Sequence, residues 1–261
     1  MAWVDRMRAD ASRDAPPARG GAGRAAARFM ARSGRAQPWL AAFAALTLAA
    51  AALWGLALMP ADHRLGETVR IMVPHVPAAT LAVNAHVAMA AFSALGLWRR
   101  SLLAHLAAKA AAPVGAAAAL AALVTGAIWG RAVWGAWWVW DPRLTAMLVM
   151  AFFHLGYLAL WEATEDPDAA APLTAILCLA GFPFALLARY AVTAFDGATM
   201  HDAASLVRRS GIAMDDAIWR PVMLSMLGFH LLLAALTLGG MRTALLRRRA
   251  HALRLDHAAR C

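Results

Sequence analysis

Cysteine is nearly missing from this chain: Cys178 sits inside an apolar run and Cys261 is the last residue. Neither belongs to a C-x-x-C pair, which excludes a disulfide framework, and without C-x-x-C-H the chain is not itself a c-type cytochrome. Charge is also sparse, at 15% of residues, and acids are outnumbered by bases, 15 to 25. A chain that is 62% hydrophobic, with a mean hydropathy of +0.57, cannot present a water-soluble surface over most of its length.

The positive charge is confined to the ends. Residues 1–36 hold eight Arg against three Asp, residues 242–261 hold six Arg against one Asp, and the stretch between them is neutral. Two basic tails around an apolar body suit an anionic lipid surface, and they exclude the broad basic face that nucleic acid requires. Residues 1–36 and 242–261 therefore read as basic tails, the first of them disordered, around a membrane domain at 37–241. The apolar run after the first tail is of spanning length, so a cleaved signal peptide is not expected.

Six windows of about 20 apolar residues are expected to span a bilayer: 39–58, 77–98, 111–129, 144–161, 171–188 and 221–239. The fold class is all-α integral membrane, a six-helix bundle. With six spans the two tails share a side, and that side carries 17 basic residues against 8 on the other. The positive-inside rule puts the tails in the cytoplasm of a bacterial inner membrane and the segments 59–76, 130–143 and 189–220 outside. The acidic loop with Glu162, Glu165, Asp166 and Asp168 reads as a solvated turn.

The segment Trp134-Gly135-Ala136-Trp137-Trp138-Val139-Trp140-Asp141-Pro142-Arg143-Leu144-Thr145, just after Trp129, concentrates indoles in one external connection. An interfacial aromatic belt would scatter them over several helix ends. A large flat ligand needs polarisable apolar faces and cations for carboxylates at its edge, and this segment, with Arg131 and Arg143, supplies both. Heme fits that description, and it also needs an iron ligand, ordinarily a neutral imidazole. His75, fixed between Pro74 and Pro77 on the same external side, is the candidate. His86 lies eleven residues further on, about 16 Å deeper along a helix, so one heme cannot use both. His86, His154 and His230 read as structural residues within the spans. Met200 and the other methionines read as packing residues.

These residues resemble the heme exporter protein C family, also called CcmC, of System I cytochrome c maturation. The likeness rests on Pro60-Ala61-Asp62, Arg70-Ile71, His75-Val76-Pro77-Ala78-Ala79, Ala122-Leu123-Val124-Thr125-Gly126 and the Trp134–Thr145 block. It covers roughly residues 38–246. The resemblance implies a heme b carrier without an enzymatic step of its own, loading a periplasmic heme chaperone, CcmE. A CcmAB-type ATP-binding-cassette complex and a small single-span CcmD-like protein are the implied membrane partners. It implies His75 as an axial ligand, and Trp134, Trp137, Trp138, Trp140 and Asp141 as the heme-binding motif, with Arg143 beside them.

The chain departs from the family pattern at the second axial ligand. Ala188-Arg189-Tyr190 stands where relatives have a histidine, and arginine offers iron no lone pair. His201, on the same external loop, is one candidate sixth ligand; a five-coordinate iron or an exogenous donor is another. Arg189 is a candidate propionate partner or a snorkelling residue at a helix end. Three rival functions remain at this point. A heme-attaching synthase of the same superfamily would carry more spans, a proton-coupled transporter an internal repeat, and a redox heme protein facing buried histidine pairs.

Overall fold

The computed structural model describes residues 21–195, 199–201, 207–208, 211–212 and 215–259. Six long helices build it: α1 (Gly21–Leu53), α2 (Met72–Arg99), α3 (Leu102–Trp134), α4 (Pro142–Ala163), α5 (Pro167–Ala194) and α6 (Asp216–Ala258). A π-helical turn, Trp54–Leu58, prolongs α1, and a 3-10 turn, Glu67–Ile71, leads into α2. Between α5 and α6 the two-residue strands β1 (Val207–Arg208) and β2 (Gly211–Ile212) pair antiparallel. Each apolar window read from the sequence falls within one of these helical stretches, and all six are long and apolar enough to cross a membrane. The chain is a multi-pass membrane protein.

The helix ends are written locally. Ser101, Asp141, Asp166 and Asp215 cap the starts of α3, α4, α5 and α6 by accepting from backbone N–H groups two or three residues on. Pro142 and Pro167 occupy the first helical positions, where no N–H is missed. Gly135, at φ +77°, terminates α3 in a left-handed conformation that favours glycine, and so turns the chain into the tryptophan loop.

Packing follows residue size. α2 contacts α3, α5 and α6, while α1 lies chiefly against α6. The facing surfaces are rich in alanine: Ala82, Ala112 and Ala119 are fully buried, as are Ala85 and Ala185. Small side chains let helix backbones approach closely, which matters where lipid removes the hydrophobic drive for helices to associate.

Both expected tail boundaries cut through continuous helices. α1 begins at Gly21, so the described part of the region expected to be disordered, residues 21–36, is helical. Its Ala and Arg content favours helix once the rest of α1 provides a nucleus. Likewise 242–258 continues α6, and Arg242 Nη1 donates to the Met30 carbonyl at 2.6 Å and to Ser33 Oγ at 3.2 Å. The tails thereby brace each other. Residues 1–20 of the expected tail lie outside the described residues.

Candidate functional site

One end of the bundle gathers the start of α2, the end of α3, the start of α4, the end of α5 and the start of α6. His75 stands in the first turn of α2. Its Nδ1 lies 2.9 Å from Thr125 Oγ1 on α3. The Thr125 hydroxyl donates to the Ala121 carbonyl at 2.6 Å, so toward the imidazole it acts as acceptor. That assigns the proton to Nδ1 and leaves the Nε2 lone pair available, the arrangement a metal-binding imidazole needs. Gly126 makes room for the ring: a Cβ there would meet His75 Cε1 at 3.0 Å.

Thr125 lies nine residues before the end of α3, so His75 is recessed by about 14 Å of helix rise below Trp134. The histidine is half-buried, whereas Trp137 and Trp140 are 61% and 76% exposed in the loop Gly135–Asp141. The candidate site is thus graded in depth, with His75 recessed below the exposed tryptophans of the rim.

The indoles fall into two groups. Trp129 and Trp134 meet edge to face at 5.2 Å, and His201 packs against Trp134 at 5.4 Å and Trp129 at 6.4 Å. Trp138 and Trp140 meet edge to face at 5.5 Å, and the buried Trp138 Nε1 has no hydrogen-bond partner among the described residues. Trp129 also packs against the cluster of Met59, Val69, Met72 and Val222, which ties the rim to the α1–α2 connection and to α6.

Asp141 joins two loops. Its Oδ1 accepts from Leu144 N at 2.7 Å, capping α4, and its Oδ2 accepts from Thr199 Oγ1 at 3.0 Å and Met200 N at 3.1 Å. His201 Nδ1 lies 3.5 Å from the same oxygen, an ion-pair distance when the ring is protonated. Burial by itself would raise the Asp141 pKa, but the contacts from His201, Leu144, Met200 and Thr199 together hold it down at about 2. The carboxylate is thus ionised at neutral pH and pins 199–201 to the start of α4.

Arg143, half-buried in the first turn of α4, lies within electrostatic range of His75, Arg189 and Asp141. Arg189 is exposed near the end of α5, its guanidinium 5.6 Å from the Tyr190 ring. His75 is also within electrostatic range of His201. The candidate site therefore has two cations, one anion already engaged by loop donors, and an imidazole with a free nitrogen.

The three deep histidines are engaged elsewhere. His86 Nε2 donates to the Cys178 carbonyl at 3.1 Å and His154 Nδ1 to the Met150 carbonyl at 3.0 Å; the two rings meet edge to face at 4.9 Å. His230 contacts the Met226 carbonyl and Asn84. Met200 is 48% exposed and contributes its backbone N–H, not the packing expected of its side chain. Sequence reasoning missed Thr125, Gly126 and Thr199 as site residues. Thr125-Gly126 was visible in the stretch that carries the family resemblance, but nothing in the chain's linear order connects it to His75.

A family model described as "Heme exporter protein C" matches residues 23–256. Relatives bearing that description include one from Paracoccus denitrificans (strain Pd 1222), 50% identical over 226 residues, which are 87% of this chain and 93% of the relative. One from Rhodobacter capsulatus is 47% identical over the same shares of both chains. One from Escherichia coli (strain K12) is 39% identical over 209 residues, 80% of this chain and 83% of the relative.

Proposed function

The chain belongs to the heme exporter protein C family and serves heme handling in cytochrome c maturation; from that premise we propose that it binds heme b beneath the tryptophan rim and hands it on. The observation that carries this reading is the Thr125-locked imidazole of His75, whose Nε2 is left free for iron. Trp134, Trp137, Trp138 and Trp140 offer apolar faces to the macrocycle, and Arg143 with Arg189 pairs its two propionates. Asp141 acts as a positioning residue, holding the loop that carries His201 over the recess. His201 is the sixth ligand in this reading, since it is the other imidazole within electrostatic range of His75.

The rim faces the periplasm of a bacterial inner membrane, and both termini are cytoplasmic, as the bias of basic residues toward the tail-bearing end favours. Exposed Trp137 and Trp140 suit transfer to a CcmE-like heme chaperone rather than permanent retention of the cofactor. A CcmAB-type transporter complex and a CcmD-like single-span protein are its membrane partners. The protein is a carrier, with no bond made or broken by its own side chains.

Transfer tests the reading. The protein in lipid nanodiscs, loaded with heme, is mixed with the soluble domain of a CcmE-type chaperone and the two are separated. Heme moving to the chaperone from wild type, and not when the chaperone is replaced by serum albumin at equal concentration, supports handover. Equal loss to both acceptors contradicts it.

A further inference from the structure

A cavity among the described residues lies away from this site. It occupies about 840 Å³ between α3 and α6 in the half of the bundle that carries the tails. Its walls are apolar, with Val114, Ala117 and Ala121 on α3 facing Phe229, Leu232 and Leu236 on α6. Its mouth carries Lys109, Arg247 and Arg248. Lys109 Nζ stacks 4.0 Å over the Trp161 ring with Glu162 in electrostatic range, and Arg248 Nη2 reaches Asp168 at 3.4 Å. Arg247 has no acidic partner at ion-pair distance among the described residues.

From Lys109 to Ala121 the groove runs twelve residues along α3, or about 18 Å. That is close to one leaflet of a hydrocarbon core roughly 30 Å thick. None of the lining side chains is a histidine, cysteine, methionine or tyrosine, so the groove offers iron no ordinary ligand. We propose that the groove is a binding site for an anionic phospholipid of the tail-side leaflet: one acyl chain lies between α3 and α6, and the headgroup phosphate is held by Arg247 and Lys109, with Arg248 shared with Asp168. Basic pockets between membrane helices at the cytoplasmic side take anionic headgroups by this combination of charge and depth. The inference does not depend on the heme reading.

The test places the full chain in nanodiscs of phosphatidylethanolamine and phosphatidylglycerol in equal amounts, strips bulk lipid with mild detergent and counts retained lipids by native mass spectrometry. Wild type is expected to retain phosphatidylglycerol over phosphatidylethanolamine by about tenfold, as a net gain of one or two headgroup cations implies. K109Q/R247Q/R248Q is expected to lose that preference while still retaining lipid. Ala117→Phe, at an exposed groove position, is expected to lose retained lipid of both kinds; if it does not fold, Thr243→Phe obstructs the same groove from α6. The heme absorption of every folded variant is expected to match wild type. Equal retention of both lipids by wild type, unchanged retention in the groove-filling variant, or a second protein chain in place of the lipid overturns the proposal.

Discussion

His75 Nδ1 and Thr125 Oγ1 are 2.9 Å apart, and because the threonine hydroxyl donates to Ala121, this single contact sets the tautomer of the imidazole. Thr125→Val keeps the shape of the side chain but removes the acceptor. Heme affinity is expected to fall roughly ten- to hundredfold, the usual cost of losing a partner behind a metal-binding histidine. Thr125→Ser is expected to restore it. Heme titration followed by the Soret band checks both, and wild-type affinity in Thr125→Val would remove the hydroxyl from the account.

Asp141 makes the site sensitive to acid. Its folded pKa, about 2, lies below the ordinary 3.8, so the stabilisation it provides is complete above about pH 4 and is lost as pH falls toward 2. The side chain is almost fully buried, so the effect is on the order of 2 kcal/mol. Thermal unfolding between pH 5 and pH 2.5 is expected to show a larger drop for wild type than for Asp141→Asn, which already lacks the charge. Identical slopes for the two would show that the carboxylate does not pin the loop.

Two glycines on α3 distinguish the proposed heme site from the bundle core, because each makes room for a different histidine. A Cβ at Gly126 would crowd His75 Cε1 at 3.0 Å, whereas one at Gly115 would strike His154 Nε2 at 2.4 Å. Gly126→Ala is expected to weaken heme binding with little change in unfolding temperature. Gly115→Ala is expected to destabilise the protein by about 1–3 kcal/mol, as overpacked cores do, and to leave the heme spectrum of the folded fraction unaltered. A reversed pattern in paired spectra and melting curves would assign heme to the deep histidines.

Arg143 and Arg189 carry the proposed propionate contacts. Arg143→Gln is expected to weaken heme binding roughly ten- to hundredfold, the scale of a lost hydrogen bond to a charged group. Lysine at 143 is expected to recover only part of it, because an ammonium cannot reproduce a bidentate contact. Titration with heme and with its dimethyl ester separates charge from packing: the ester is expected to bind wild type and Arg143→Gln alike. A preserved difference with the ester would argue for a packing role.

The spans were legible because hydropathy acts over windows of about 20 residues and the chain alternates cleanly between apolar runs and loops. The helix ends at Gly21 and Ala258 were not, because a change in polarity marks where lipid ends and not where a helix ends, and Ala-Arg sequence continues a helix into water. At the site, His75, the Trp block, Asp141 and Arg143 announce themselves by residue type. Thr125 and Thr199 do not: an isolated threonine acquires meaning only when the fold brings it within 3 Å of His75 or Asp141. The recess of His75 below the Trp rim likewise depends on where α2 begins beside α3, which no local pattern encodes.

The most direct test of the central claim is the absorption spectrum of detergent-purified protein from heme-replete cells, recorded for wild type and for His75→Ala, His201→Ala and His86→Ala. A Soret band is expected in wild type and in His86→Ala, shifted in position in His201→Ala, and abolished in His75→Ala but restored by added imidazole. An undiminished band in His75→Ala, or a band lost only in His86→Ala, would contradict the assignment of heme to the recess beneath the tryptophans.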